Sequence, residues 1–129
     1  MNASLLITSS RQLVAAILDE DHLQRMTLGD RCLEREVLAI FARQTVLMLK
    51  RMAGMEPAFA ATAAHTLKGS ACSVGAWRVA EAAERVERAA GEGRAAAMTT
   101  AIAELETASL EVRAVIDARL GGGNFAARP

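Results

Sequence analysis

Between Ala60 and Val74 the residues Ala60, Ala64, Leu67, Ala71 and Val74 follow spacings of four and three. That rhythm places them along one seam of an α-helix. Alanine has the best helix propensity, and its small side chain lets helix axes approach closely. The rest of the chain agrees: 52% of its residues are apolar, only 3% are aromatic, tyrosine is absent and there are two prolines. Few runs are rich in β-branched or aromatic residues, which argues against a sheet. A length of 129 residues suffices for one domain with a real core and is too short for two ordinary ones.

Helical spacing and punctuation divide the chain. The stretch from Ser10 to Met26 carries Leu13, Val14, Ile17 and Leu23 and predicts one or two short helices. The second of these opens at the acidic trio Asp19, Glu20 and Asp21, since carboxylates suit a helix N-terminus. Asp30 predicts the N-cap of a long helix that runs to about Ala53, before Gly54. Its expected apolar stripe is Leu33, Val37, Ile40, Phe41, Leu47 and Met48. Pro57 opens the next helix and Gly75 ends it. Trp77 to Ala90 forms another, closed by Gly91 and Gly93, with Val79, Ala83, Val86 and Ala90 inward. On its outer face Glu81–Arg85 and Glu84–Arg88 have the acid four residues before the base, worth about 0.3 kcal/mol each. The last helix spans about Arg94 to Leu120, with Met98, Ile102, Leu105, Val112 and Ile116 on one side.

These elements predict an all-α fold: an antiparallel up-down four-helix bundle with one or two short N-terminal helices capping one end. We expect a single domain over residues 1–129, a bundle core at about 30–120 and a flexible tail at 121–129. No internal repeat or long linker interrupts it. The architecture by itself names no function.

Composition narrows the function classes. Formal net charge is zero, so nothing points to nucleic acid, which favours a basic face. No charge pattern suggests a membrane partner. Residues 1–8 lack a basic n-region and their apolar run is short, which argues against a signal peptide or anchor. A cytoplasmic location is the expectation. Cys32 and Cys72 do not make a disulfide framework. A metal site would need His22, His65, Cys32 and Cys72 to converge, and no Cys-x-x-Cys or His-x-x-x-His spacing supports that.

The chemistry concentrates in the run His65-Thr66-Leu67-Lys68-Gly69-Ser70-Ala71-Cys72-Ser73-Val74-Gly75-Ala76. His65 is offset from the apolar seam, so it stands on the exposed side or at the boundary. Its neighbours at helical spacing are Ala61 one turn before, Lys68 and Gly69 one turn after, and Cys72 two turns after. An imidazole rising from such a low surface suits a partner that brings its own active site, whereas a small-molecule enzyme favours a concave pocket. Lys68 can pair with phosphoryl oxygens on His65 and opposes protonation of the ring. Gly69 costs about 1 kcal/mol relative to alanine inside a helix. Either close approach by a partner or tight packing on a neighbouring helix would explain it.

The run from His65 to Ala76 resembles histidine-containing phosphotransfer (HPt) domains of bacterial multistep phosphorelays. The likeness extends through Arg78 to Glu87, where Ala80, Glu84 and Arg85 sit at matching positions, and helix order fits over about Asp30 to Leu120. The resemblance implies that His65 accepts a phosphoryl group from a receiver-domain aspartate and passes one to another receiver. It implies electrostatic support from Lys68 and docking room at Gly69. Some members hold the histidine ring with a glutamine on the next helix; Glu87 takes that place here. A carboxylate can accept the ring N–H bond, and it would repel a nearby phosphoryl group.

The expected partners are response-regulator receiver domains, including those of hybrid histidine kinases, docking at Ala61, Cys72, Trp77 and Arg78 on a monomer. No cofactor or metal is expected on this chain; magnesium should come from the receiver. The expected activity is that of a phosphocarrier without autokinase activity. Two other readings stay open: a non-catalytic helical adaptor, and a detached phosphotransfer domain phosphorylated by a separate kinase core. A sensor-kinase dimerisation domain fits less well, because such domains place an acidic residue beside the histidine and Thr66 stands here. No phosphate loop of the Gly-Lys-Ser/Thr type occurs either.

Overall fold

A computed structural model of the chain describes Val14 and residues 16–121. Within them the chain forms an all-helical bundle. Its helices are α1 (Glu20–Met26), α2 (Arg31–Met52), α3 (Pro57–Val74), α4 (Trp77–Glu92) and α5 (Ala95–Arg119). The tail from Gly122 onward and most of the stretch expected to precede α1 lie outside the described residues.

Local chemistry sets the ends of these helices. The Asp19 carboxylate accepts from the backbone N–H of His22 and caps α1. The Asp30 carboxylate accepts from that of Leu33 and caps α2, each satisfying an N–H that has no partner inside the helix. Pro57 begins α3, where its missing N–H costs nothing. Gly75 and Gly93 end α3 and α4 in the left-handed conformation. Gly91, expected as a terminator, lies inside α4, which runs on to Glu92.

In the packing, α3 lies against α4, α4 against α5, and α2 against both α3 and α5, while α1 docks on α3. The seam expected on α3 is the one found: Ala60, Ala64, Leu67, Ala71 and Val74 are all buried. On α4 the inward residues are Val79, Ala80, Ala82, Ala83, Val86 and Ala89, with Ala90 only half-buried. On α5, Leu105, Val112 and Ile116 are buried, and Met98 and Ile102 pack at the edge of the core.

The stripe expected on α2 is displaced. The buried set is Glu34, Leu38, Ala39, Phe41, Ala42, Thr45 and Met52, whereas Leu33, Ile40 and Leu47 face outward. Apolar residues occur nearly all round this helix, so its periodicity does not select the arc that turns inward. A polar anchor helps to fix the rotation. Arg119 at the end of α5 pairs with the buried Glu34 of α2 and with Glu20 of α1, and Arg35 donates to the Leu120 carbonyl.

The expected pairs along α4 also give way to pairs between helices. Arg85 reaches Glu104 on α5, Arg78 reaches Glu111 on α5, and Glu84 faces Lys68 on α3. No helix is long and apolar enough to cross a membrane among the described residues.

Candidate functional site

His65 stands midway along α3, outside the buried seam, and its side chain is 74% exposed. Its Nδ1 lies 3.0 Å from Oε2 of Glu87 on α4. With the Glu87 carboxylate as acceptor, Nδ1 is the donating nitrogen, and in the neutral ring Nε2 then keeps its lone pair. The Glu87 side chain is 27% exposed, and its other oxygen, Oε1, is enclosed without a hydrogen-bond partner. The carboxylate therefore stands between the two helices with one oxygen committed to the ring.

One turn on, the Lys68 ammonium is 3.7 Å from Oε1 of Glu84. Lys68 thus lies on the α4 side of α3, the side to which His65 also turns. Both members of that pair are partly exposed, and such pairs are worth about 0.5 kcal/mol. The ammonium can leave Glu84 for another anion at little cost.

Gly69 faces solvent, and a Cβ placed there would meet nothing within 4 Å. Tight packing on a neighbouring helix therefore does not explain it. The hydroxyls on this side of α3 fold back onto the helix: Thr62 donates to the Ala58 carbonyl, Thr66 to Thr62, Ser70 to Thr66 and Ser73 to Gly69. Few polar groups are left unsatisfied on the exposed side of α3, from which His65 and, nearer its start, Phe59 project.

The four positions expected to dock a partner sit in different surroundings. Ala61 and Cys72 lie half-buried on α3. Arg78 is turned to Glu111 on α5. Trp77, at the start of α4, is bound to α1: its indole N–H donates to the Asp19 carboxylate at 2.9 Å, and its ring meets the His22 ring edge-on at 4.9 Å. These bonds hold the Asp19 carboxyl below the usual carboxylate range, first through the Trp77 indole N–H and then through the His22 backbone N–H. The Asp19 backbone N–H also donates to the Gly75 carbonyl at 3.0 Å.

Two residues in these arrangements had little sequence signal. Glu84 carries the contact to Lys68, although its spacing to Arg88 suggested a pair within α4. Asp19 joins α1 to the α3–α4 corner, although the acidic trio signalled only a helix start. No group of three or more His, Cys, Asp or Glu side chains is placed to hold a metal ion among the described residues.

Fold and site together define a helical bundle with a histidine displayed on one flank. The Hpt domain family model matches residues 33–118, more than half of the chain, and the chain belongs to that family. Hpt domains serve phosphotransfer in two-component signalling and work with receiver domains. Among solved structures, the chain is similar to an X-ray structure of a rice protein assigned as a histidine-containing phosphotransfer protein. The TM-score is 0.76 at 18% identity, over 91% of this chain and 89% of that one. At that identity the likeness bears on the fold alone. No curated protein sequence matches the chain.

Proposed function

We propose that His65 is the phosphoryl acceptor and donor of this Hpt domain, exchanging the group with receiver-domain aspartates. The observation that carries this reading is the pairing of a 74% exposed imidazole with a carboxylate on one nitrogen only. In the forward step Nε2 attacks the phosphorus of the receiver's acyl phosphate. A P–N bond forms, the P–O bond to the aspartate breaks, and the aspartate leaves as a carboxylate. No proton need be removed from Nε2, because Glu87 holds the ring proton on Nδ1. The phosphorylated ring carries positive charge until Nδ1 releases that proton, and the Glu87 carboxylate stabilises this charge. Glu87 thus acts on the side of the ring away from the phosphoryl group, which limits the repulsion a carboxylate would otherwise exert.

Lys68 exchanges Glu84 for phosphoryl oxygens once the group arrives. Gly69 leaves space for the receiver to come close. Phosphoryl transfer asks mainly for in-line placement and charge stabilisation, and in this reading the receiver supplies magnesium. The domain is read as four long helices, α2 to α5, running alternately up and down with α1 closing one end. The short connections between them support that order.

The test is transfer from a phosphorylated receiver. Wild-type chain should gain acid-labile, base-stable phosphate, and His65→Gln should gain none. Magnesium and ATP alone should leave the wild type unlabelled. Label persisting in His65→Gln refutes the assignment. Absence of label from every receiver favours the adaptor reading, and label from an isolated kinase core alone favours the detached phosphotransfer domain.

A further inference from the structure

The fold leaves four aliphatic side chains of α2 uncovered, of which Val46 lies off the line formed by the other three. Leu33 is 41% exposed, Ile40 52% and Leu47 50%. They recur every seven residues, close to two helical turns, so they line one side of the helix. Half-buried Val37 and Gln44 border this line on one edge, and exposed Glu36 and Arg43 border it on the other. Neither Glu36 nor Arg43 has an ion-pair partner among the described residues. Seven residues apart, about 10 Å along the helix, they are badly placed to pair with each other.

We infer that this face binds a second copy of the chain, with the two α2 helices antiparallel across a two-fold axis at Ile40. In that register Ile40 meets Ile40 of the other copy, and Leu33 meets Leu47. The two-fold axis sets the Glu36 and Arg43 edge of one helix beside the same edge of the other. Reversal of direction then brings each Glu36 level with the opposite Arg43, within about 1.5 Å along the axis. Two symmetric ion pairs result, flanking an aliphatic centre. A parallel pair would put that edge beside Val37 and Gln44 and leave both charges unmatched. The charge pattern therefore selects the antiparallel order, and a contact of this self-complementary kind closes at two copies. One helix pair is a small interface, so the dimer dissociates on dilution. The inference replaces the monomer expected from the sequence, and it stands whether or not His65 carries phosphate.

Analytical ultracentrifugation of the full chain from about 10 µM to about 1 mM tests it. The wild type should shift from one chain to two across that range. Ile40→Glu, at an already exposed position, should keep its helical circular dichroism and remain a single chain throughout. Glu36→Arg should weaken association about tenfold, and adding Arg43→Glu should restore it. A wild type that stays a single chain overturns the proposal, as does an Ile40→Glu variant that still dimerises. Failure of the double charge reversal to restore association also overturns it. If Ile40→Glu slows phosphoryl transfer while the wild type is monomeric, the face belongs to the receiver and the dimer is excluded.

Discussion

The middle of α3 and its C-terminal corner each contain a glycine, a histidine from this chain's pair and a carboxylate partner, yet they answer opposite demands. At the corner the groups are tied to one another. Gly75 has φ +84°, and a Cβ there would come within 2.9 Å of the Asp19 carbonyl oxygen. The His22 Nε2 is enclosed, and the Trp77 indole is held by Asp19. In the middle, Gly69 has open space around it and the His65 ring stands in solvent. The lesson is that residue type does not separate a structural glycine from one that serves a partner. The space around the missing methyl separates Gly75 from Gly69: a Cβ is blocked by backbone at the first and meets nothing at the second.

This contrast yields variants ordered by their effect on stability. Gly75→Val should destabilise the fold most, by about 3 kcal/mol, because a β-branched residue is forced to positive φ beside backbone. Denaturant unfolding would show it, and a near-neutral result would mean the α1 contact is not held at the corner. Gly69→Ala should do the reverse, adding about 1 kcal/mol to stability. The same variant should slow phosphoryl transfer from a receiver, and a variant that is more stable and equally fast would remove the docking argument for Gly69.

A smaller effect is expected on acidification. The Asp19 carboxyl is favoured in its charged form by the Trp77 indole and the His22 backbone N–H. Its contribution is therefore complete above the ordinary carboxylate range and fades as pH falls through its lowered folded value. Asp19→Asn keeps a capping oxygen and should flatten that acid limb of the thermal midpoint; an unchanged limb would assign it to other carboxylates. The smallest stability change belongs to Glu87→Gln, which retains an acceptor for Nδ1. It should barely move the unfolding midpoint but slow phosphoryl transfer, since the amide cannot neutralise the charged ring. A Glu87→Gln variant as fast as the wild type would confine Glu87 to orienting the ring.

Much of this contrast was legible in the residues. The α3 seam, the caps at Asp30 and Gly75, and the position of His65 outside the seam all follow from spacing and from the few residues that stand apart from alanine. The rotation of α2 was not legible, because apolar side chains occur nearly all round it and the choice of buried arc depends on neighbours distant in sequence. Arg119 lies 85 positions from Glu34, and no local pattern announces their pairing. The same limit applies to Glu84, whose nearest basic neighbour in sequence is not its partner in space. At Trp77, the lone tryptophan opens a helix, and no local pattern announces that its indole N–H is taken up by a carboxylate 58 positions earlier.

The central claim is that Nε2 of His65 carries the phosphoryl group while Nδ1 stays bonded to Glu87. Phosphorus and nitrogen NMR of imidazole-labelled chain, phosphorylated by a receiver, would locate the P–N bond directly. The account predicts a single Nε2-phosphorylated histidine, at His65, with the proton still on Nδ1. Phosphate on Nδ1, on His22, or on no histidine at all would contradict it.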